Sequence, residues 1–280
     1  MSTDPGPLAD REWRLLREES RDGATQMALD EVAAETAAAG GPRTIRLYRW
    51  EPSCLSLGRH QHPDTVDWDA CEAAGVDVTR RATGGGGIYH DHDGDVSYSI
   101  VAPAAELPDD LMASYHLLCE PILAALRALG VDADYVDAER PALHQPACYL
   151  RKLNPAHDVV ADGGAGRKLA GNAQNRRGEA VVQHGSISVS VDAEAHLDCF
   201  AAPETTPAAF RERVGGIDEL VDTDRDEVVT TLEETLATWA GDPPEETWTD
   251  AELRRAEELV AERYGDDEAW VRADPRELER

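Results

Sequence analysis

A run of four consecutive glycines, Gly84 to Gly87, constrains this chain more than any other stretch. Glycine has no side chain, so this backbone can adopt positive φ angles and let a ligand contact its main-chain N–H groups directly. Arg80 and Arg81 precede the run, and such a pair can hold a phosphate or a carboxylate with planar, paired donors. The stretch therefore predicts a binding loop, with a tight hairpin that binds no ligand as the alternative.

The residues after the glycines predict two short strands, Ile88-Tyr89 and 95–101, around a turn at 90–94. The glycines therefore lie on a connection between strands. A P-loop requires Gly-Lys-Ser/Thr at the start of a helix, and the dinucleotide fingerprint requires spaced glycines that enter a βαβ unit. This stretch has neither motif. His90-Asp91 in the turn resembles a metal-binding or acid–base pair, although an aspartate that caps its own turn is the favoured interpretation.

The remaining pattern alternates predicted strands and helices, after a polar and frayed start at 1–12. Pro121 lies inside the longest predicted helix, so we expect a kink or a break there. Mixed strands with helices between some of them indicate an α+β fold with a mixed, largely antiparallel sheet flanked by helices. The helices are expected at 22–39, 68–74, 107–129, 193–200, 225–240 and 249–264, and the strands at 44–50, 54–58, 76–80, 131–136, 158–161, 168–171 and 180–191.

The chain carries 56 acidic and 27 basic residues, a net charge of −29 that is spread along its whole length. Such a surface repels phosphate, so a nucleic-acid partner is not expected. No apolar run approaches the roughly 20 residues of a membrane span, and the N-terminus lacks a signal pattern, so we expect a cytoplasmic protein without a membrane partner. Only Lys152 and Lys168 are lysines. This bias suggests salt adaptation, and a lysine kept despite it is expected to need its compact ammonium.

Five cysteines are scattered through the sequence without Cys-x-x-Cys spacing, which predicts reduced thiols and no zinc site. Cys148 differs from the others because it lies in a turn-rich segment, where a thiol can be exposed and act as a nucleophile. The other four are expected to be small core residues. They are Cys54, Cys71, Cys119 and Cys199.

A second cluster of informative residues spans 166–174, where Lys168 is flanked by glycine and alanine on a predicted strand. A lysine among small residues can reach an acyl or phosphoryl group without steric interference. His184-Gly185 lies in the middle of the next predicted strand. We interpret His184 as a structural residue that holds a neighbouring loop.

Three motifs in fixed order resemble the lipoate–protein ligase and octanoyltransferase family, which is related to biotin–protein ligase. They are Arg80-Arg81-x-x-Gly-Gly-Gly with His90-Asp91, Gly166-Arg167-Lys168-x-x-Gly171-x-Ala173, and His184-Gly185. The resemblance implies a biotin/lipoate ligase-like catalytic domain at 1–222 and an acidic helical C-terminal extension, packed on it, at 223–280. It also implies an enzyme that attaches lipoate or octanoate to a lysine of a small carrier domain.

The resemblance further implies roles for individual residues. Lys168 would hold the acyl carbonyl and phosphate oxygens as the catalytic cation, because negative charge develops there during acyl transfer. Cys148 would be catalytic only in an octanoyltransferase. The residues implied to bind the acyl group or the adenylate are Arg80, Arg81, Thr83, Gly84, Gly85, Gly86, Gly87, His90, Asp91, Gly171, Asn172, Ala173, Gln174, His184 and Gly185.

The family contains two chemistries. A ligase activates lipoate with ATP and Mg²⁺ to lipoyl-AMP, whereas an octanoyltransferase takes octanoate from acyl carrier protein, in one branch through a cysteine thioester and without a cofactor. The uninterrupted glycines before His90-Asp91 favour the ligase, and Cys148 upstream of Lys168 favours the transferase. Our first hypothesis from the sequence is the ligase and our second is the octanoyltransferase.

A third hypothesis is a non-catalytic protein that binds lipoylated carriers, but intact Arg81, glycines and Lys168 argue against it. The implied partners are lipoyl domains of 2-oxoacid dehydrogenase E2 subunits or the glycine cleavage H protein. Acyl carrier protein and a separate accessory subunit are further candidates.

Overall fold

A computed structural model describes residues 5–278 of the chain, apart from the side chain of Arg177. Strands and helices alternate along it. The strands are β1 (Trp13–Arg21), β2 (Arg43–Trp50), β3 (Cys54–Leu57), β4 (Asp77–Arg80), β5 (Ile88–His90), β6 (Asp95–Pro103), β7 (Asp134–Tyr135), β8 (Val159–Val160), β9 (Lys168–Arg177), β10 (Ala180–Ser188) and β11 (Glu245–Glu246). The α-helices are α1 (Gly23–Ala38), α2 (Trp68–Ala74), α3 (Leu111–Ala128), α4 (Ala193–Asp198), α5 (Pro207–Arg213), α6 (Arg225–Trp239) and α7 (Asp250–Leu259).

The largest element is an eight-stranded sheet in the order β11-β1-β2-β6-β10-β9-β8-β7. Strand β1 pairs in parallel with β11 and β2, and the other neighbours in this sheet are antiparallel. A second sheet, in the order β4-β3-β5, carries the glycine loop between β4 and β5. The predicted α+β class with a largely antiparallel sheet is therefore confirmed.

Two hydrophobic cores cover the two faces of the large sheet. Helices α3 and α6 supply leucines to one core, and α1 and α7 supply alanine, valine and leucine to the other. A third core lies beside the small sheet and holds Ala147 and Tyr149, the neighbours of Cys148. The segment that carries Cys148 is thus anchored on both sides of the thiol.

The acidic C-terminal helices belong to these cores. Leu232 and Leu236 of α6 are buried against α3, whereas Ala256 and Leu259 of α7 are buried in the core that contains α1. Strand β11 also extends the edge of the large sheet. The division of the chain at residue 222 stays a prediction.

Most predicted elements occur within a few residues of their expected bounds, with three informative differences. The sequence does not predict strand β1, because the second half of the strand is charged and half-buried or exposed. Helix α3 begins at Leu111, where Asp110 caps it, and continues through Pro121 as one helix, so no break occurs there and the expected kink stays a prediction. The strand expected at 131–136 is only two residues long, Asp134–Tyr135.

No helix within the described part of the chain is long and apolar enough to cross a membrane. The expectations of a cytoplasmic location and of salt adaptation stay predictions.

Candidate active site

A narrow cavity opens between the glycine loop, strands β2, β9 and β10, and the segment that carries Cys148. Most of the residues that the sequence singled out meet in its wall. The lining consists of Tyr48, Trp50, Arg81, Gly84, Gly85, Ile88, His90, Cys148, Gly171, Asn172, Ala173, His184, Gly185 and Ser186. A larger open groove beside α3, of about 800 Å³, contains none of the predicted site residues.

Two strand glycines lie in the wall of this cavity. A Cβ atom on Gly185 would lie 2.3 Å from Asn172 Oδ1 and 2.8 Å from Tyr98 Cε1. A Cβ atom on Gly171 would lie 3.2 Å from Ile88 Cδ1 and 3.6 Å from Cys148 Sγ. A larger residue at 171 would fill the space beside the thiol, so Gly171 leaves room for a thin, chain-like ligand, whereas Gly185 is required by the close approach of Asn172 and Tyr98.

The glycine loop and the Cys148 segment are fixed to each other. Gly87 N–H donates to Pro146 O at 2.7 Å, and Cys148 N–H donates to Gly87 O at 2.8 Å. A Cβ atom on Gly86 would lie 2.5 Å from Pro146 O and 2.8 Å from Cys148 N. Gly86 therefore allows the close approach of the two segments, whereas Gly85 has a φ of +106°, a conformation that favours glycine.

Arg81 places a buried positive charge in the cavity wall. Its Nη1 donates to Ser56 Oγ at 2.7 Å, and its Nη2 donates to Gly86 O at 2.9 Å. No carboxylate among residues 5–278 forms an ion pair with it. Burial lowers the pKa of the Arg81 guanidinium, and the charge of a Cys148 thiolate opposes that shift. The cavity therefore offers a cation to a ligand that carries or develops negative charge.

Arg80 points the opposite way and is fully buried. Its Nη1 donates to Gln61 O at 2.8 Å, while its Nε and Nη2 donate to Trp270 O and Val271 O, both at 2.8 Å. Burial lowers the pKa of Arg80 to about 10. The guanidinium fastens the C-terminal segment behind the glycine loop, so the geometry does not support the predicted role of Arg80 in substrate binding.

His90 lines the cavity with a ring that is held in place by hydrogen bonds and stacking. Its Nε2 lies 2.7 Å from Ser56 Oγ, its Nδ1 bonds to Asp95, and its ring stacks on Trp50 with the centroids 4.3 Å apart. Burial lowers the pKa of His90, and the Asp95 carboxylate opposes that shift. The partner of His90 is thus Asp95, and the neighbouring Asp91 has a different task.

Asp91 caps its own turn, as the favoured interpretation held. Its Oδ1 accepts from the N–H groups of Asp93 at 2.9 Å and Gly94 at 2.8 Å. Gln174 also lies outside the cavity lining, because its side chain bonds to Ser114 at 2.9 Å and to Gln183 at 3.2 Å. Their predicted roles in binding stay predictions without support from the geometry.

His184 joins three elements. Its Nε2 lies 2.8 Å from Thr83 Oγ1 in the glycine loop, and its Nδ1 lies 2.9 Å from Asp30 Oδ2 in α1. Burial raises the pKa of Asp30, but the bond from His184 and the charge of Arg46 outweigh it, so the pKa of this carboxyl is lowered. The geometry matches the expected structural role of His184 in holding a neighbouring loop.

Asn172 follows Gly171 on β9, so its side chain lies on the other face of the strand from Cys148, beside Tyr98. Tyr98 OH donates to Asn172 Oδ1 at 2.9 Å, which fixes the orientation of the side chain. The buried Nδ2 has no hydrogen-bond partner among the described residues. A buried donor without a partner is costly unless a ligand or water satisfies it.

Cys148 is the half-buried cysteine, whereas the other four are buried. Burial raises the pKa of the Cys119 thiol to about 12 and also raises that of Cys54, as expected for core residues that do not react. The prediction that Cys148 stands apart from the other thiols agrees with its place in the cavity wall.

Lys168 is held just outside the cavity lining. Its Nζ lies 2.6 Å from Asp158 Oδ1, and both side chains are buried. The same Nζ lies 5.5 Å from the centroid of the Tyr149 ring, which follows Cys148 in the chain. Its predicted contact with acyl and phosphate oxygens stays a prediction.

Sequence reasoning missed several residues of the site. Tyr48 and Trp50 line the cavity from β2, and their spacing of two on a strand is a signal that could have suggested a shared face. Asp158 could not have been found in this way, because only the pairing of β8 with β9 brings it to Lys168.

Comparisons with known proteins place this site in a family. A family model described as the lipoyl protein ligase A/B catalytic domain matches residues 22–237. Octanoyltransferase LipM of Exiguobacterium sp. is 38% identical over 212 residues, which are 72% of this chain and 74% of that protein. Octanoyltransferase LipM of Halalkalibacterium halodurans is 31% identical over 271 residues, which are 91% of this chain and 97% of that protein.

Solved structures show the same architecture. A lipoate-protein ligase A bound with ATP matches with a TM-score of 0.77 at 26% identity, covering 94% of this chain and 99% of that chain. A chain from the analysis of a bipartite lipoate protein ligase and its E2 lipoyl domain from Thermoplasma acidophilum has a TM-score of 0.76 at 28% identity, covering 94% and 97%. The chain therefore belongs to the lipoyl protein ligase A/B catalytic domain family and is a lipoate–protein ligase or an octanoyltransferase.

Proposed function

We propose that this enzyme is an octanoyltransferase that carries octanoate on Cys148, from acyl carrier protein to a lysine of a lipoyl domain. The observation that carries the proposal is the place of Cys148 in the wall of the cavity, next to Gly171, while the other four cysteines are buried. The relatives named octanoyltransferase LipM support the same chemistry. This reverses the order of the two hypotheses drawn from the sequence.

The reaction has two acyl transfers. In the first, the Cys148 thiolate attacks the thioester carbonyl of octanoyl–acyl carrier protein, the bond to the carrier sulfur breaks, and the carrier leaves as a thiol after gaining a proton. In the second, the neutral amine of a lipoyl-domain lysine attacks octanoyl-Cys148. An amide bond forms, the amine loses a proton, and the sulfur of Cys148 is released.

Negative charge develops on the carbonyl oxygen in both transfers, and the cavity supplies groups that can stabilise it. The guanidinium N–H groups of Arg81 belong to a buried cation in the cavity wall that has no carboxylate partner in the described chain. Preorganised donors in a water-poor site are the usual source of such stabilisation. The apolar side chains of the lining suit the alkyl chain.

Lipoate ligation is the second candidate, because the solved structures that match are ligases. The glycine loop and Arg81 fit a phosphate group, which ATP would supply. The fit for Mg²⁺ is poorer, since the carboxylate of Asp158 is paired with Lys168.

The deciding experiment is intact-protein mass spectrometry of the enzyme mixed with octanoyl–acyl carrier protein in the absence of ATP. We expect a mass increase of one octanoyl group on Cys148, which is discharged when an apo lipoyl domain from an E2 subunit or the H protein is added. Cys148→Ser should lack the adduct, and Cys119→Ala, which alters a buried thiol, should retain it. Modification that requires lipoate and MgATP and survives in Cys148→Ser would establish the ligase instead.

A further inference from the structure

The buried pair of Lys168 and Asp158 has a geometry that suits a task in the reaction. The carboxylate is fixed from two directions: Oδ1 accepts from Lys168 Nζ at 2.6 Å, and Oδ2 accepts from the N–H of Asn154 at 2.8 Å. The two side chains are only 4% and 8% exposed. A pair held this way has little freedom, so the position of the ammonium is determined by the carboxylate.

The ammonium lies one side chain away from the cavity. Tyr149 separates them, since its ring centroid is 5.5 Å from Lys168 Nζ and its hydroxyl lies 3.2 Å from Ser186 Oγ, a residue of the cavity wall. The lysine side chain is long and flexible, so a change of rotamer can carry its Nζ past this ring. The Lys168 ammonium and the Cys148 thiol are therefore close to each other but not in contact.

We propose that Asp158 is a positioning residue that holds Lys168 as an ammonium beside the cavity. During acyl transfer, the negative charge that develops on the acyl oxygen attracts the ammonium into the cavity. The inference rests on the proposed transferase function. In this arrangement Lys168 supplies charge and does not accept the proton of Cys148, because an ammonium has no lone pair.

The surroundings support a charged lysine. A buried ammonium is costly without a carboxylate, and Asp158 provides one. Burial acts to raise the pKa of Asp158, but the Lys168 ammonium bonded to its Oδ1 and the His157 ring, 3.6 Å from its Oδ2, hold that pKa well below its usual range. The other ionisable groups near the pair are Tyr149, whose pKa is raised by burial, and Arg213, whose pKa is lowered by burial while Asp158 opposes that shift. A carboxylate that stays ionised keeps the ammonium in place.

The test compares Asp158→Asn with the wild type in the rate of octanoyl-Cys148 formation, followed by quenched-flow mass spectrometry from neutral to alkaline pH. A buried ammonium is disfavoured without its counter-charge, so the loss of Asp158 should weaken the charge that Lys168 supplies. We therefore expect a rate about tenfold lower at neutral pH that falls further toward alkaline pH. The opposite result, a faster reaction at neutral pH in Asp158→Asn, would mean that Lys168 acts as a base and would overturn the proposal.

Three more variants separate positioning from folding. Asp158→Glu keeps a carboxylate and should retain the wild-type pH profile at a reduced rate. Asp162→Asn removes a charge from an exposed turn nearby and should change nothing. Lys168→Met should be slow at every pH, and adding Asp158→Asn to it should cost little more, because Asp158 acts through the lysine. Independent, additive losses would contradict the proposal.

Two different results would separate the transferase function from the role of Asp158. An absent adduct on wild-type Cys148 would remove the transferase function itself. An adduct that forms normally, together with a pH profile of Asp158→Asn equal to that of the wild type, would remove only the role of Asp158.

Discussion

The glycine loop has two sides, and each side has one arginine. One arginine lines the cavity, and the other holds the fold together. The cavity side contains Arg81 and faces Cys148, whereas the rear side contains Arg80 and faces the C-terminal segment at Trp270 and Val271. Arg80 donates to backbone carbonyls on both segments that it joins. Arg81 also holds loop carbonyls, but it lines the cavity and has no acidic partner among the described residues.

The difference comes from the alternation of a strand. Strand β4 ends at Arg80, and consecutive side chains of an extended chain point to opposite sides. Arg80 therefore points toward backbone carbonyl groups and donates hydrogen bonds to them. Arg81 points toward the cavity, where its positive charge can interact with a ligand. Adjacent identical residues thus divide into one that stabilises the fold and one that can stabilise a reaction.

The largest effect should come from the rear side. Arg80→Met would leave several buried carbonyls without a donor, so we expect unfolding free energy to fall by about 4 kcal/mol. Chemical denaturation would measure this loss. Octanoyl transfer per folded molecule should stay close to that of the wild type. A specific activity that falls together with stability would contradict the separate roles of Arg80 and Arg81.

On the cavity side, Arg81→Met should reduce octanoyl transfer by roughly a hundredfold, or about 3 kcal/mol, the scale of losing one electrostatic stabiliser. The assay is single-turnover acylation of Cys148 at a temperature where the variant is folded. Arg81→Lys keeps a charge but cannot donate to Ser56 and Gly86 together, so it should recover only part of the rate. Wild-type acylation in Arg81→Met would exclude this residue from the chemistry.

A smaller effect should separate two glycines of the same loop. In Gly86→Ala the new Cβ would lie 2.5 Å from Pro146 O, so the Cys148 segment must move, at a cost of about 2 kcal/mol in stability together with slower acylation. Gly84→Ala is the matched control, because a Cβ there meets nothing within 4 Å. Equal behaviour of the two variants in melting and acylation assays would contradict the close contact of the two segments.

The smallest effect concerns acid stability near the rear side, where α7 precedes the C-terminal segment. Bonds from Arg14 outweigh the effect of burial and lower the pKa of Glu252 from 4.5 to about 2. A lowered pKa means that this stabilisation is complete above pH 4.5 and is lost as the pH falls toward 2. In Glu252→Gln, melting temperature should therefore vary less with pH over this interval. An unchanged slope would show that the Arg14 pair contributes nothing.

Local sequence patterns determined much of this protein. The glycine run, the capped helices and the alternating strands predicted the α+β class and most element positions, because each depends on residues close together in the chain. The order of three motifs was enough to indicate the family. The cysteines, too, divided as the sequence suggested, into buried thiols and Cys148.

Tertiary structure decided which residues work together. The sequence favoured Asp91 as the cap of its own turn, which the structure matches, but only the fold shows that the partner of His90 is Asp95. It also pairs Lys168 with Asp158 across neighbouring strands. Such partnerships depend on strand register and on which face of a strand a side chain occupies, and a shift of one residue would exchange the faces. Register is fixed by packing of the whole sheet, so it could not be read from the local sequence.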